Sequence, residues 1–223
     1  KDFQTGNITS PEQLIAGKVA GVQITSNSGQ PGAGSVIRIR GGASLNASND
    51  PLIVVDGVPM SGSSIGGAAN PLSLINPNDI ETFTVLKDAN ATAIYGSRAS
   101  NGVVLITTKK GKAGAPVINL STVNSYGTIA KQVNMLSADQ LRAYVIANDK
   151  AYNDNPANTF SSLLGNANTN WQNEIYENTL STDNNISIAG SFKNIPYRVS
   201  VGYLDQEGAL VTDRLKRATG GFR

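Results

Sequence analysis

The residues best placed to do chemistry concentrate in the stretch VLKDANATAIYGSRASNGVVLITTKKGK, Val85–Lys112, where Gly96 and Gly102 bracket Arg98 in a loop. Backbone N–H groups of such a loop could cradle a phosphate. The spacing does not complete that reading. No GxxxxGK[ST] occurs, and the Gly32-Ala33-Gly34 segment has Ile37 where GxGxxG needs its third glycine. Asp56, Asp79, Glu81 and Asp88 are carboxylates capable of acid–base work, yet each stands in a turn or cap pattern that accounts for it. The sequence contains no cysteine and no histidine, which removes disulfides, Cys/His zinc sites and every nucleophile that needs imidazole or thiolate. Neither Lys87 nor Lys109 has local support as an activated base. Trp171 with Tyr176 could stack on a sugar ring, or anchor their own segment.

Charge excludes further classes. A net charge of +2 is too small for a nucleic-acid or anionic-membrane partner, which usually needs a basic stripe. The dense basic run Lys109-Lys110-Gly111-Lys112 is short and reads as a solvated strand end.

The elements that must position these residues follow two patterns. Up to about Lys112 helix and strand signals alternate. Ser10-Pro11-Glu12-Gln13 is a capping box with proline at the first helical position, so a helix is expected through Leu14, Ile15 and Val19, ending at Gly21. Val22 and Ile24 suggest a strand, Gly29–Gly34 a turn, and Val36–Arg40 a strand with Ile37 and Ile39 on one face and Arg38 and Arg40 on the other. Leu52–Val55, Asp56-Gly57 and Val58–Met60 form a hairpin whose Pro59 marks an edge. Asn76-Pro77-Asn78-Asp79 is a turn, Phe83 and Val85 lie in a strand, Asp88 can cap the turn up to Tyr95, and Val103–Ile106 is a strand buried on both faces. This half is an α/β domain of roughly 110 residues.

After Lys112, with Lys112–Pro116 as a linker, the pattern becomes alternation. Ile118, Leu120, Thr122, Asn124 and Tyr126 interleave with Asn119, Ser121, Val123 and Ser125; Ile186, Ile188 and Phe192 with Ser187 and Ser191; Tyr197, Val199, Val201 and Tyr203 with Arg198, Ser200 and Gly202. Arg214–Phe222 is a candidate fourth strand. Such strands, with aromatics near their ends, fit either a membrane β-barrel or a soluble antiparallel sheet with one face on a core. Roughly fifty residues, Thr128 to Leu180, separate the first two strands and include a helix expected around Ala138–Ala151; barrels pair such long loops with short turns. No run reaches the roughly eighteen apolar residues of a spanning helix. Lys1 is not followed by a signal-peptide pattern, so the chain is expected to be non-exported or to start after a processing or internal cut.

Taken in order, Gly17-Lys18-Val19-Ala20-Gly21-Val22, Gly29-Gln30-Pro31-Gly32, Ile37-Arg38-Ile39-Arg40-Gly41, Pro51–Pro59, Asn78-Asp79-Ile80-Glu81, Val85-Leu86-Lys87-Asp88-Ala89, Ala93-Ile94-Tyr95-Gly96-Ser97-Arg98-Ala99 and Asn101–Val104 strongly resemble the plug domain of SusC/RagA-type TonB-dependent outer-membrane transporters. Asn170-Trp171-Gln172 and Gly202–Gly208 look like the first strands and loops of that family's barrel. The resemblance implies an α/β plug (1–112) followed by antiparallel transmembrane β-barrel strands (113–223) of a 22-stranded barrel in a Gram-negative outer membrane. It implies import of oligosaccharides or peptides, a SusD-like surface lipoprotein as partner, TonB acting on a segment before Lys1, contact with outer-membrane lipid, no enzymatic activity, and neither cofactor nor metal. Twenty-two strands of about ten residues need about 220 residues, so the barrel is expected to be truncated here. The family's two plug arginines that pair with glutamates on the barrel wall match Arg40 and Arg98, expected to form an ionic latch because an unpaired buried charge is costly. For Arg38 the expected role is to neutralise a nearby carboxylate. The rivals are a soluble binding or adhesin-like protein, an α/β domain joined to a β-sheet module, and a nucleotide-dependent enzyme.

Overall fold

The structure, a computed structural model, describes residues 8–26, 28–39, 41, 49–60, 71–87, 93–149, 151–152 and 155–223. Ser10 and Gln13 do form the capping box, with Pro11 at the first position, but the helix is a single 3₁₀ turn, Pro11–Leu14. The turn closes at Ile15, whose N–H donates to the Glu12 carbonyl, and Gly17, at a left-handed φ of 72°, bars helix from resuming toward Gly21. The short turn still inserts Leu14 and Ile15 into the core.

Strand β1 (Val22–Ser26) pairs antiparallel with β2 (Ser35–Ile39), whose Ile37 and Ile39 are buried. The expected hairpin is β3 (Leu52–Val55) and β4 (Val58–Pro59), turned by Asp56 and Gly57 at positive φ, with β4 at the sheet edge as Pro59 requires. Strand β5 (Ile80–Leu86) follows the 3₁₀ turn Pro77–Asp79. Strand β6 (Val103–Thr108) lies between β3, to which it is parallel, and β5, to which it is antiparallel. Its Val104 and Ile106 pack with Leu14, Ile15, Ile37, Ile39, Leu72 and Ile80, while Val103 packs with Leu52, Val54 and Ala99 on the opposite side. A continuous apolar run is what burial on both faces demands. Asp88, expected as a cap, lies outside the described residues.

The strand β7 (Val117–Gly127) is followed, further along, by the short pair β8 (Ala151–Tyr152) and β9 (Asn155–Thr159) and then by β10 (Thr179–Phe192), β11 (Ile195–Glu207) and β12 (Arg214–Phe222). The order β12-β11-β10-β7 makes a four-stranded sheet, with Lys193 and Asn194 turning β10 into β11 at positive φ. The segment before β7 is not a free linker, since Gly114 exchanges hydrogen bonds with Ser191.

Chain contacts divide the molecule into two units. One joins the described residues up to Tyr126 with Thr179–Gly208 and Thr212–Arg223. The other is Gly127–Asn178 with Ala209–Val211. It holds α1 (Ala138–Ala147), shorter than expected but begun by a capping box of Ser137 and Gln140, and α2 (Trp171–Ile175).

Gly102 sits where the fold tolerates no side chain: its φ is 94°, and a Cβ would lie 2.7 Å from Ile39 Cδ1 and 3.1 Å from the Leu86 carbonyl. Gly102→Ala is therefore expected to destabilise the α/β domain by about 1–3 kcal/mol, against under about 0.5 kcal/mol for Ile94→Ala at an exposed site, measured as shifts of the urea midpoint.

Candidate functional site

The four-stranded sheet is dressed the opposite way round from a soluble one. On β11, Val199, Val201 and Tyr203 are exposed while Ser200, Gly202 and Leu204 are buried. On β10, Leu180 and Ile186 are exposed while Ser181, Asp183 and Asn185 are buried. The period of two that separates these sets follows from the strand itself. What covers the polar face of β10–β12 is the α/β domain, whereas β7 is exposed on both faces along most of its length.

A seam of charged and amide groups joins the two. Arg198 of β11 donates from Nη2 to Asp79 Oδ1 at 2.7 Å, and Ser200 Oγ donates to Asp79 Oδ2 at 3.0 Å. Both charged side chains are largely covered, 11% exposed for Arg198 and 22% for Asp79. At the end of the sheet Arg223 pairs with Asp56, which also accepts from Thr108 N (2.9 Å) and Thr108 Oγ1 (3.0 Å). Arg217 of β12 donates from Nη1 to the carbonyls of Ser73 (2.6 Å) and Thr9 (3.1 Å). Asn76 Nδ2 donates to Asn185 Oδ1 and, at 3.3 Å, to Thr219 Oγ1.

Asp56 and Asp79 thus do more than their turn contexts explain. They are the acceptors for arginines on the sheet, a role no local pattern could indicate because the partners lie more than a hundred residues away. Lys109 is not a solvated strand end either. Its Nζ donates to the Asn78 carbonyl at 2.6 Å, and it shares a polar cavity of about 350 Å³ with Asp79, Arg198, Asn119, Ser121 and Asn185. Arg38 pairs with Asp50 at 2.8 Å, a neutralising contact within the domain.

The two predicted latch residues are placed differently. Arg40 lies outside the described residues, and Arg98 is exposed at the end of the kinked turn Ala93–Ala99. In the second unit Trp171 opens α2 and is 70% exposed. Tyr176 caps its far end, half-buried and bridged to Leu210.

Burial holds the Lys109 ammonium below the ordinary lysine value, and Arg198 adds repulsion, while Asp79 and Glu81 act the other way. A depressed lysine disfavours folding while it is charged, and that cost is relieved as pH rises from the lowered value toward 10.5. NMR titration of Lys109 is expected to give a pKa below that of free lysine, raised by Arg198→Gln and lowered further by Asp79→Asn.

Comparison with known proteins gives this arrangement its context. The profile of the TonB-dependent Receptor Plug Domain matches residues 1–103. The TonB-dependent receptor SusC of Bacteroides thetaiotaomicron is 52% identical over 219 residues, covering 98% of this chain and 21% of that protein. TonB-dependent receptor P3 of Formosa agariphila is 41% identical over 211 residues, covering 94% of this chain and 19% of that protein. Among solved structures, the RagAB peptide importer in its closed-closed state superposes with a TM-score of 0.80 at 29% identity, covering 99% of this chain and 27% of that one. The chain spans about a fifth of the length of these curated relatives. A plug-type α/β domain with the polar face of an antiparallel sheet closed over it places this chain in the SusC/RagA type of TonB-dependent receptors, as the plug and the barrel strands that follow.

Proposed function

We propose that residues 1–112 are the plug and 113–223 the first barrel-wall strands of an outer-membrane transporter that imports oligosaccharides or peptides. In this reading TonB supplies the energy and a SusD-like surface lipoprotein delivers the cargo. The observation that carries it is the inverted sheet: apolar Val199, Val201, Tyr203 and Leu180 face outward, and the polar face is occupied by the plug. Hydrocarbon accepts the first face and a soluble protein would bury it. The soluble adhesin-like alternative finds no support in this dressing. The likeness to a peptide importer supports the peptide half of that cargo class, and the oligosaccharide half rests on the family resemblance.

Arg40 and Arg98 are proposed as an ionic latch to carboxylates on other parts of the wall. The exposure of Arg98 leaves its guanidinium open to such a partner. Trp171 is proposed to contact cargo, its exposed indole suited to stacking on a sugar ring, with Tyr176 as a secondary contact.

The transporter carrying these residues, expressed in its host, is expected in the outer-membrane fraction with the heat-modifiable mobility of a folded barrel, and to co-purify with a surface lipoprotein. Recovery in a soluble fraction would sink the proposal. Trp171→Ala is expected to lower uptake of the co-purifying cargo several-fold at unchanged protein level, and Arg98→Ala to raise passive entry of a large hydrophilic solute. Unchanged uptake removes Trp171 from the cargo path, and unchanged entry removes Arg98 from the latch.

A further inference from the structure

The turn Asn76-Pro77-Asn78-Asp79 meets the sheet at a place built to receive it. Asn185 of β10, Gly202 of β11 and Thr219 of β12 lie in one cross-strand row, and Ser187, Ser200 and Gly221 lie in the next on the same face. Each row contains a glycine, and the glycines stand where the turn enters. A Cβ on Gly202 would lie 2.4 Å from Asn76 Nδ2, 2.5 Å from Asn185 Oδ1 and 2.8 Å from Thr219 Oγ1. A Cβ on Gly221 would lie 2.8 Å from Ser200 Oγ and 3.9 Å from Asp79 Oδ2. Neither glycine has a positive φ, so backbone conformation does not call for them. The space does.

The turn is rigid where it inserts. Asn76 uses its Oδ1 to accept from Asn78 N at 3.0 Å, which holds the turn, and its Nδ2 to reach the socket. Pro77 fixes the backbone between them, and the Lys109 backbone N–H donates to the Asp79 carbonyl at 2.8 Å, tying the turn to the end of β6. Every side-chain bond it makes to the wall is polar, and the cavity of about 350 Å³ beside it is lined by amides, hydroxyls and charges. Water has room there to replace these bonds one at a time.

We propose that the Asn76–Asp79 turn is a releasable seat: its amide and carboxylate key into a glycine-floored socket on β10–β12 and set where the plug rests on the wall. The proposal rests on the plug-and-barrel reading and adds to it a contact of opposite polarity from the arginine latch, with the carboxylate on the plug and the arginine on the wall. Shape gives the register, since a side chain at Gly202 would overlap the Asn76 amide, while Gly221 leaves room for Ser200, whose hydroxyl donates to Asp79. Charge gives the hold, since removing either Asp79 or Arg198 leaves the other largely covered with its charge unpaired. Asn76 and Asp79 act through positioning and need touch no cargo.

The test uses the full-length transporter in detergent and in cells. Asp79→Ala, Gly202→Val and, as a substitution that adds no bulk, Asn76→Ala are compared with wild type by hydrogen–deuterium exchange over residues 71–87. Sensitivity of the cells to a large hydrophilic antibiotic is measured in parallel. Exchange about tenfold faster or more in the turn and β5, with higher antibiotic sensitivity at equal amounts of folded barrel, supports the seat. The swap Asp79→Arg with Arg198→Asp is expected to recover part of the protection lost in either single variant. Unchanged exchange in Asp79→Ala and Asn76→Ala overturns the seat, and a swap no better than the single variants overturns the Asp79–Arg198 pairing. Absence of a heat-modifiable barrel in wild type would count against the transporter reading instead, while the exchange data would still judge the turn.

Discussion

A β-sheet whose apolar face is turned outward must satisfy every polar group on its other face from within. That constraint organises this chain. Ser181, Asp183, Asn185, Arg198, Ser200, Arg217 and Thr219 all project from β10–β12 toward the α/β domain, and most of them meet a partner there or on a neighbouring strand. Without the domain they would line open water; with it they become a seam whose members are hydrogen-bonded and largely covered, as buried polar groups have to be.

The character of that seam suits the proposed role of a plug that is held and also released. An apolar interface of the same extent would bind through area alone and would cost the full transfer free energy to separate. Here the α/β core is sealed on its own, by Leu14, Ile15, Ile37, Leu72, Val104 and Ile106 on one side of β6 and Leu52, Val54 and Val103 on the other. The contact with the sheet is made chiefly by amides, hydroxyls and ion pairs, with Leu215 against Gly32 as an apolar exception. Such bonds are strong when dry and exchangeable when water enters. Stability of the domain and adhesion of the domain are thereby separate properties.

Much of the local structure was legible in the residue string. The capping boxes at Ser10 and Ser137, the Asp56-Gly57 hairpin with Pro59 at an edge, and the continuous apolar run of β6 rest on backbone geometry or burial that neighbours in sequence dictate. Apolar spacing through Val19 suggests a longer helix than the single turn Pro11–Leu14, because spacing does not register that Gly17 takes a left-handed φ that bars continuation. The fate of the charges was not legible. Asp56, Asp79 and Lys109 each had a sufficient local explanation, and their long-range partners are invisible to any pattern that extends over a few residues.

The order of strand signals, the period of two, and the lack of histidine and cysteine were enough to define the class of element and to rule out imidazole and thiolate chemistry, because those follow from covalent geometry and from which side chains exist. Which face of the sheet is covered, and therefore whether Asp79 is a turn residue or the acceptor of an arginine on β11, was settled by folding alone. Alternation specifies two faces but says nothing about what lies against either one. Gly202 and Gly221 make the same point: in the sequence they are interruptions of a strand, and in the structure they are the floor on which Asn76 and Asp79 rest.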